Sequence, residues 1–235
     1  MKKLLLTAAL VAATSTAWAG DVIRMGTEGA YPPYNFINDA GEVDGMEREL
    51  GDELCKRAGL TCAWVTNDWD SIIPNLVSGN YDTIIAGMSI TDARDEVIDF
   101  TEAYIPADPS GYLVLDADLD VTSAVIAVQS ATIQSSFVAE KGWTMVEFAT
   151  TDDTIAAVLN GEADAVLGGL VSIREYANDE LVVLARQETI GGGVGMGIRE
   201  SNGDLKAKFN KAIQSMKADG TLNELIVKWE VGYTW

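Results

Sequence analysis

DTIIAGMSITDARDEVIDFT, residues 82–101, changes character three times in twenty positions. Thr83 to Ala86 is a short apolar run, the length of a buried strand. Gly87 ends it and permits a close approach to the backbone. Ser89 and Thr91 then offer hydroxyls and amides. Asp92 reads as the N-cap of a short helix, with Arg94 in its first turn. An arginine is unusual there, because helix N-termini already carry partial positive charge. A cation, hydroxyls and free amides at one strand end suit a carboxylate. The plainer alternative is a surface ion pair of Arg94 with Asp95 or Glu96.

The pattern recurs. Residues 79–88 read GNYDTIIAGM and residues 161–170 read GEADAVLGGL, both G-x-x-D-x-h-h-small-G-h, where h is apolar. Each places a glycine just after a buried strand, where open α/β sheets bind ligands. Two such edges facing each other make a cleft.

Strands alternate with helices on either side of these repeats. Strands are expected at 22–25, 60–65, 124–128, 144–148, 164–167, 181–184 and 194–198. Helices are expected at 46–58, 71–76, 132–141, 152–160, 171–177, 204–218 and 222–228. Residues 26–34, GTEGAYPPY, read as a loop. Pro106, Pro109, Ser110 and Gly111 make residues 100–115 an irregular crossing, and Gly191-Gly192-Gly193 marks a second. The expected fold is α/β with largely parallel sheets. Its parts are 20–107 and 193–235 in one lobe and 108–192 in the other, inserted lobe.

Residues 1–19 stand apart as a signal peptide: Lys2 and Lys3, an apolar Leu4–Ala13, then Ala17-Trp18-Ala19 before Gly20. That leader implies export, most simply to a bacterial periplasm, and no other run is long enough to span a bilayer. Without the two leader lysines the formal charge goes from −20 to −22, which disfavours nucleic acid and anionic membranes as partners. The chain has no histidine and two cysteines, so no metal or cofactor is expected. An exported Cys55 and Cys62 are expected to form a disulfide.

Taken in order, Gly26–Phe36 (GTEGAYPPYNF), Trp69–Pro74 (WDSIIP), the 82–101 stretch and the ending Asp219-Gly220-Thr221-Leu222 with Lys228-Trp229 resemble the periplasmic amino-acid-binding proteins of ABC importers, solute-binding family 3. The resemblance covers essentially the whole mature chain. It implies a two-lobed type II periplasmic-binding fold, a small zwitterionic ligand, an inner-membrane ABC permease as partner, and a monomer. It implies that Arg94 clamps the ligand carboxylate, assisted by Ser89 and by the amide of Thr132. Gly87 would offer its carbonyl to the ligand ammonium, Tyr31 and Trp69 would sandwich the side chain, and Glu28 would read its far end. Ala86 and Ala131 flank these positions. The family's usual second-lobe acid is replaced by Gly169, with Ser172 and Glu175 as the nearest polar side chains in sequence. A missing counter-ion favours an opine, a modified amino acid or a betaine-like zwitterion over a plain α-amino acid. A cyclohexadienyl-dehydratase-like enzyme on the same fold and a soluble ligand sensor are the alternatives.

Overall fold

The two repeats end in two different sheets. The computed structural model describes residues 22–235. The signal-peptide assignment lies outside them. Among the described residues no helix is long and apolar enough to cross a membrane.

The first sheet runs Cys62–Thr66, Ile23–Thr27, Thr83–Ile84, Gly197–Ile198, Asp99–Phe100. The second runs Met145–Phe148, Ile126–Gln129, Ala165–Gly169, Ser110–Val114, Val182–Glu188. In each, three neighbouring strands are parallel. The strand entered from a crossing, Gly197–Ile198 or Ser110–Val114, is antiparallel to both of its neighbours. Residues 100–115 are therefore only half irregular: the crossing ends in a fully buried strand, because its small and aromatic residues pack on both faces.

Both sheets carry helices on both faces, which the apolar strand runs require. Met25, Leu50, Leu54, Ile198, Phe209 and Ile213 form one side of the first lobe's core. Trp69, Ile72, Leu76 and Tyr81 form the other. Complete burial of one such leucine or isoleucine contributes about 1.5–3 kcal/mol. The helix Met46–Ala58 is bounded by acids in its first turn, Lys56 and Arg57 in its last, and a left-handed Gly59 after it, in line with the helix dipole and the glycine C-cap. The Cys55–Cys62 disulfide, with Cα atoms 6.3 Å apart, ties this helix to the edge strand.

The two crossings lie side by side. Tyr104 N–H donates to the Val194 carbonyl at 2.8 Å and Val194 N–H to that of Ile105 at 3.0 Å. A Cβ on Gly193 would come within 2.7 Å of Ala103 and 2.9 Å of the Ile105 carbonyl, so glycine is what lets the strands approach.

Candidate functional site

A small antiparallel sheet, Ala30–Tyr31, Asn35–Ile37 and Val43–Asp44, begins inside the 26–34 region read as a loop, with Ala30–Tyr31 as its first strand. Its proline-rich sequence carries no periodicity, which is why it reads as irregular. It fixes Tyr31. Beneath it lies Glu47, fully buried. The Glu47 carboxylate accepts from Gly87 N–H at 2.7 Å, from Asn35 Nδ2 at 2.7 Å, and from the Tyr104 hydroxyl. Asn35 in turn accepts from Gly29 N–H at 2.7 Å. One acid thus pins the 28–31 loop, the first crossing and the Gly87 strand end together. Burial raises its pKa, and these three hydrogen bonds oppose the rise. Sequence reading missed Glu47 because it saw only the apolar face of that helix.

Thr91, not Asp92, caps the short helix Asp92–Asp95: its hydroxyl accepts from Arg94 N–H at 3.3 Å. The extended backbone of Thr91 is what places its side chain over the turn. Arg94 therefore leaves the helix toward the second lobe. Its Nη1 donates to the Ser89 carbonyl at 2.9 Å, its Nη2 lies 3.5 Å from the Ala131 carbonyl, and its guanidinium stands 5.3 Å over the Trp69 ring. Among the described residues it is in no ion pair, so the pairing with Asp95 or Glu96 does not form. Burial pushes its pKa down to about 10, still cationic at neutral pH.

On the opposing lobe Thr132 caps the helix Ile133–Lys141, accepting from Ser135 N–H. Ala131, before it, has φ 56°, a left-handed conformation rare for alanine. Its carbonyl accepts from Trp69 Nε1 at 3.3 Å. Glu28 meets Gln129 across the same gap, with Gln129 Nε2 donating at 2.6 Å. Burial drives the Glu28 pKa up to about 7; the Gln129 bond opposes this, and the charges of Asp68, Glu47 and Asp152 add to it.

Nine of the ten anticipated residues line one cavity: Glu28, Tyr31, Trp69, Ala86, Gly87, Ser89, Arg94, Thr132 and Gly169. Ala131 does not line it; its carbonyl meets Trp69 and Arg94, which do. Neither Ser172 nor Glu175 lines it. Ser172 is fully buried behind the strand end, and Glu175 borders a shallow outer groove with Pro32 and Pro33. The absence of a side chain at 169 has a steric cause: a Cβ there would overlap the Tyr31 hydroxyl oxygen. Sequence reading also missed Asp108, Gln129, Ser110 and Gln134 in the lining. Asp108 lies between Pro106 and Pro109 in the crossing, and only the pairing of Ser110 with Gly169 shows which strand end it borders.

With three charged side chains, Arg94, Glu28 and Asp108, the cavity suits a small, polar, multiply charged molecule. The family of bacterial extracellular solute-binding proteins, family 3, matches residues 23–232. The histidine-binding periplasmic protein of Salmonella typhimurium is 32% identical over 252 residues, covering 97% of each chain. Among solved structures, a periplasmic His/Glu/Gln/Arg/opine family-binding protein from Silicibacter pomeroyi in complex with lysine is 63% identical, with a TM-score of 0.88 over 91% of this chain and 100% of that one. An ancestral amino-acid-binding protein described as a precursor of cyclohexadienyl dehydratase is 28% identical, with a TM-score of 0.79 over 88% of this chain and 94% of that one.

Proposed function

The chain belongs to the bacterial extracellular solute-binding proteins, family 3, and from that premise we propose that it captures a basic α-amino acid, lysine or arginine, and delivers it to an ABC permease in the inner membrane. The observation that carries this is Arg94. A partly desolvated guanidinium beside Ser89, packed on Trp69 and, among the described residues, in no ion pair, is a receptor for a ligand carboxylate. The far end of the cavity supports the basic side chain. Glu28 supplies an acid to a cavity that Tyr31 and Trp69 also line, so a cation there would gain both ion pairing and cation–π attraction. The lysine complex of the 63% identical relative supports the same ligand class. An opine brings at least one further carboxylate against Glu28 and Asp108, so the acids of the cavity favour a plain basic amino acid over the opine that Gly169 alone suggests.

The 1–19 leader supports a periplasmic location. The lobes, 20–107 with 193–235 and 108–192, close on the ligand about the paired crossings, a two-state equilibrium biased by binding. Capture proceeds without turnover in this reading; conversion of prephenate or arogenate by the purified chain would overturn it. The direct test is calorimetry of lysine and arginine against wild type and Arg94→Ala. The variant is expected to lose about 100-fold or more in affinity, the scale of a buried charge-assisted bidentate pair. Unchanged binding sinks the carboxylate assignment.

A further inference from the structure

The proposed ligand carries an α-ammonium as well as a carboxylate and a side-chain cation, and Gly169 offers it no side chain. Asp108 lies two residues before Ser110, the first residue of the neighbouring strand, and so borders the same strand end. Ser110 pairs with Gly169, Leu170 N–H donates to the Pro109 carbonyl at 3.0 Å, and Val171 N–H lies 3.4 Å from Asp108 Oδ2. That long contact is the one protein hydrogen bond to the carboxylate among the described residues, so Oδ1 has no protein donor. Asp108 is half-buried, lines the cavity and is in no ion pair among the described residues.

The charges lining the cavity are then one cation, Arg94, and two anions, Glu28 and Asp108. Their complement is a molecule with one carboxylate and two cationic nitrogens, which is a basic α-amino acid. We propose that Asp108 is the anionic partner of the ligand's α-ammonium, placed just before the strand that pairs with Gly169, where the Tyr31 hydroxyl occupies the space a side chain at 169 needs. This assignment rests on the basic-amino-acid reading above and adds to it the residue that discriminates α-amino acids from amines lacking that group. Burial raises the Asp108 pKa, partly offset by Val171 and by the charge of Arg174; a cationic ligand nitrogen favours the ionised form.

The test is calorimetry of the mature chain with two probes, L-lysine and 6-aminohexanoate, which is lysine without its α-ammonium. Wild type is expected to prefer lysine by about 30-fold or more. Asp108→Asn is expected to lose about that factor for lysine while holding 6-aminohexanoate within about threefold, and Asp108→Glu to recover part of the loss. An Asp108→Asn chain that weakens both probes equally has lost structure rather than an ammonium partner, and overturns the proposal. So does unchanged lysine binding. Equal wild-type affinity for the two probes overturns the Asp108 assignment and leaves the Arg94 reading standing. A wild type that binds neither lysine nor arginine overturns the ligand class and this assignment with it.

Discussion

The strand pair that ends at Glu28 and Gly87 and the pair that ends at Gln129 and Gly169 are built in the same register. In the first, Met25 and Gly26 pair with Thr83 and Ile84; in the second, Ile126 and Ala127 pair with Ala165 and Val166. Asp82 and Asp164 do the same work. Each N–H donates to the carbonyl of the adjacent strand at 2.8 Å, from Asp82 to Arg24 and from Asp164 to Val125. Each carboxylate accepts from that same residue's N–H, at 2.9 and 2.8 Å. Following the register outward makes Glu28 equivalent to Gln129 and Gly87 equivalent to Gly169. These equivalent positions meet across the cavity, Glu28 with Gln129 directly and the two glycines through Tyr31, which lies on both. The difference is instructive. Two acids at the Glu28 and Gln129 positions would repel, whereas an acid and an amide bond. The scaffold is repeated, and selectivity comes from single residues at which the halves disagree.

The largest effect expected from breaking this arrangement is at the glycines. A Cβ on Gly87 would sit 2.8 Å from the Tyr31 ring and would demand φ +60° of an ordinary residue. Gly87→Ala is therefore expected to destabilise the closed chain by about 2–3 kcal/mol. Gly169→Ala meets only the hydroxyl, so Tyr31→Phe is expected to relieve Gly169→Ala and not Gly87→Ala. Lysine affinities of the four variant chains, read beside their melting curves, decide it; equal rescue of both glycine variants would break the proposed role of the hydroxyl.

Next comes the acid of the Glu28–Gln129 pair. With a pKa raised from 4.5 to about 7, neutral Glu28 favours the folded chain. That contribution is complete below about pH 4.5 and is lost as pH rises through about 7. Capture of a cation runs the other way, since it needs the carboxylate. Lysine affinity is expected to rise with pH up to about 7, by at most about tenfold per unit, or about 1.4 kcal/mol. Glu28→Gln is expected to flatten that profile. A titration of Kd between pH 5.5 and 8.5 that is level for wild type removes Glu28 from the ligand.

The smallest difference separates the two aspartates. Asp82 also pairs with Arg24 and Arg199 at 3.0 and 2.9 Å. Burial alone would raise its pKa; the hydrogen bonds from those arginines outweigh that and hold it at about 2. The resulting stability is present above pH 3.8 and is lost as pH falls toward about 2. Asp82→Asn is expected to cost about 1 kcal/mol more than Asp164→Asn in urea denaturation at pH 7, with the gap closing in acid. Equal costs at both pH values would make the arginines incidental.

Much of this was legible in the chain itself. The repeated G-x-x-D-x-h-h-small-G-h pattern marks both strand ends, because a buried strand, its anchoring aspartate and its terminal glycine are all local requirements. Arg94 stood out at the end of the first repeat; the family resemblance gave it a role and added Tyr31, Trp69 and Glu28, and the structure gathers all four at one cavity. Beside the half-irregular crossing, two further readings of local structure did not survive. Asp92 gave way to Thr91 as the cap, a matter of one extended dihedral pair. Ala30–Tyr31, within the loop expected at 26–34, forms a strand, because its partner strands are held by side-chain packing rather than by their own periodicity.

The sequence by itself determined the two-fold repetition, the order of strands and helices and the cation at the end of the first repeat, since each depends on neighbours within a few residues. Only the tertiary structure decided how the two glycines differ, what Glu47 holds, and that Asp108 stands beside Gly169. Those depend on contacts between residues 40 to 140 positions apart, whose partners are chosen by packing and strand pairing.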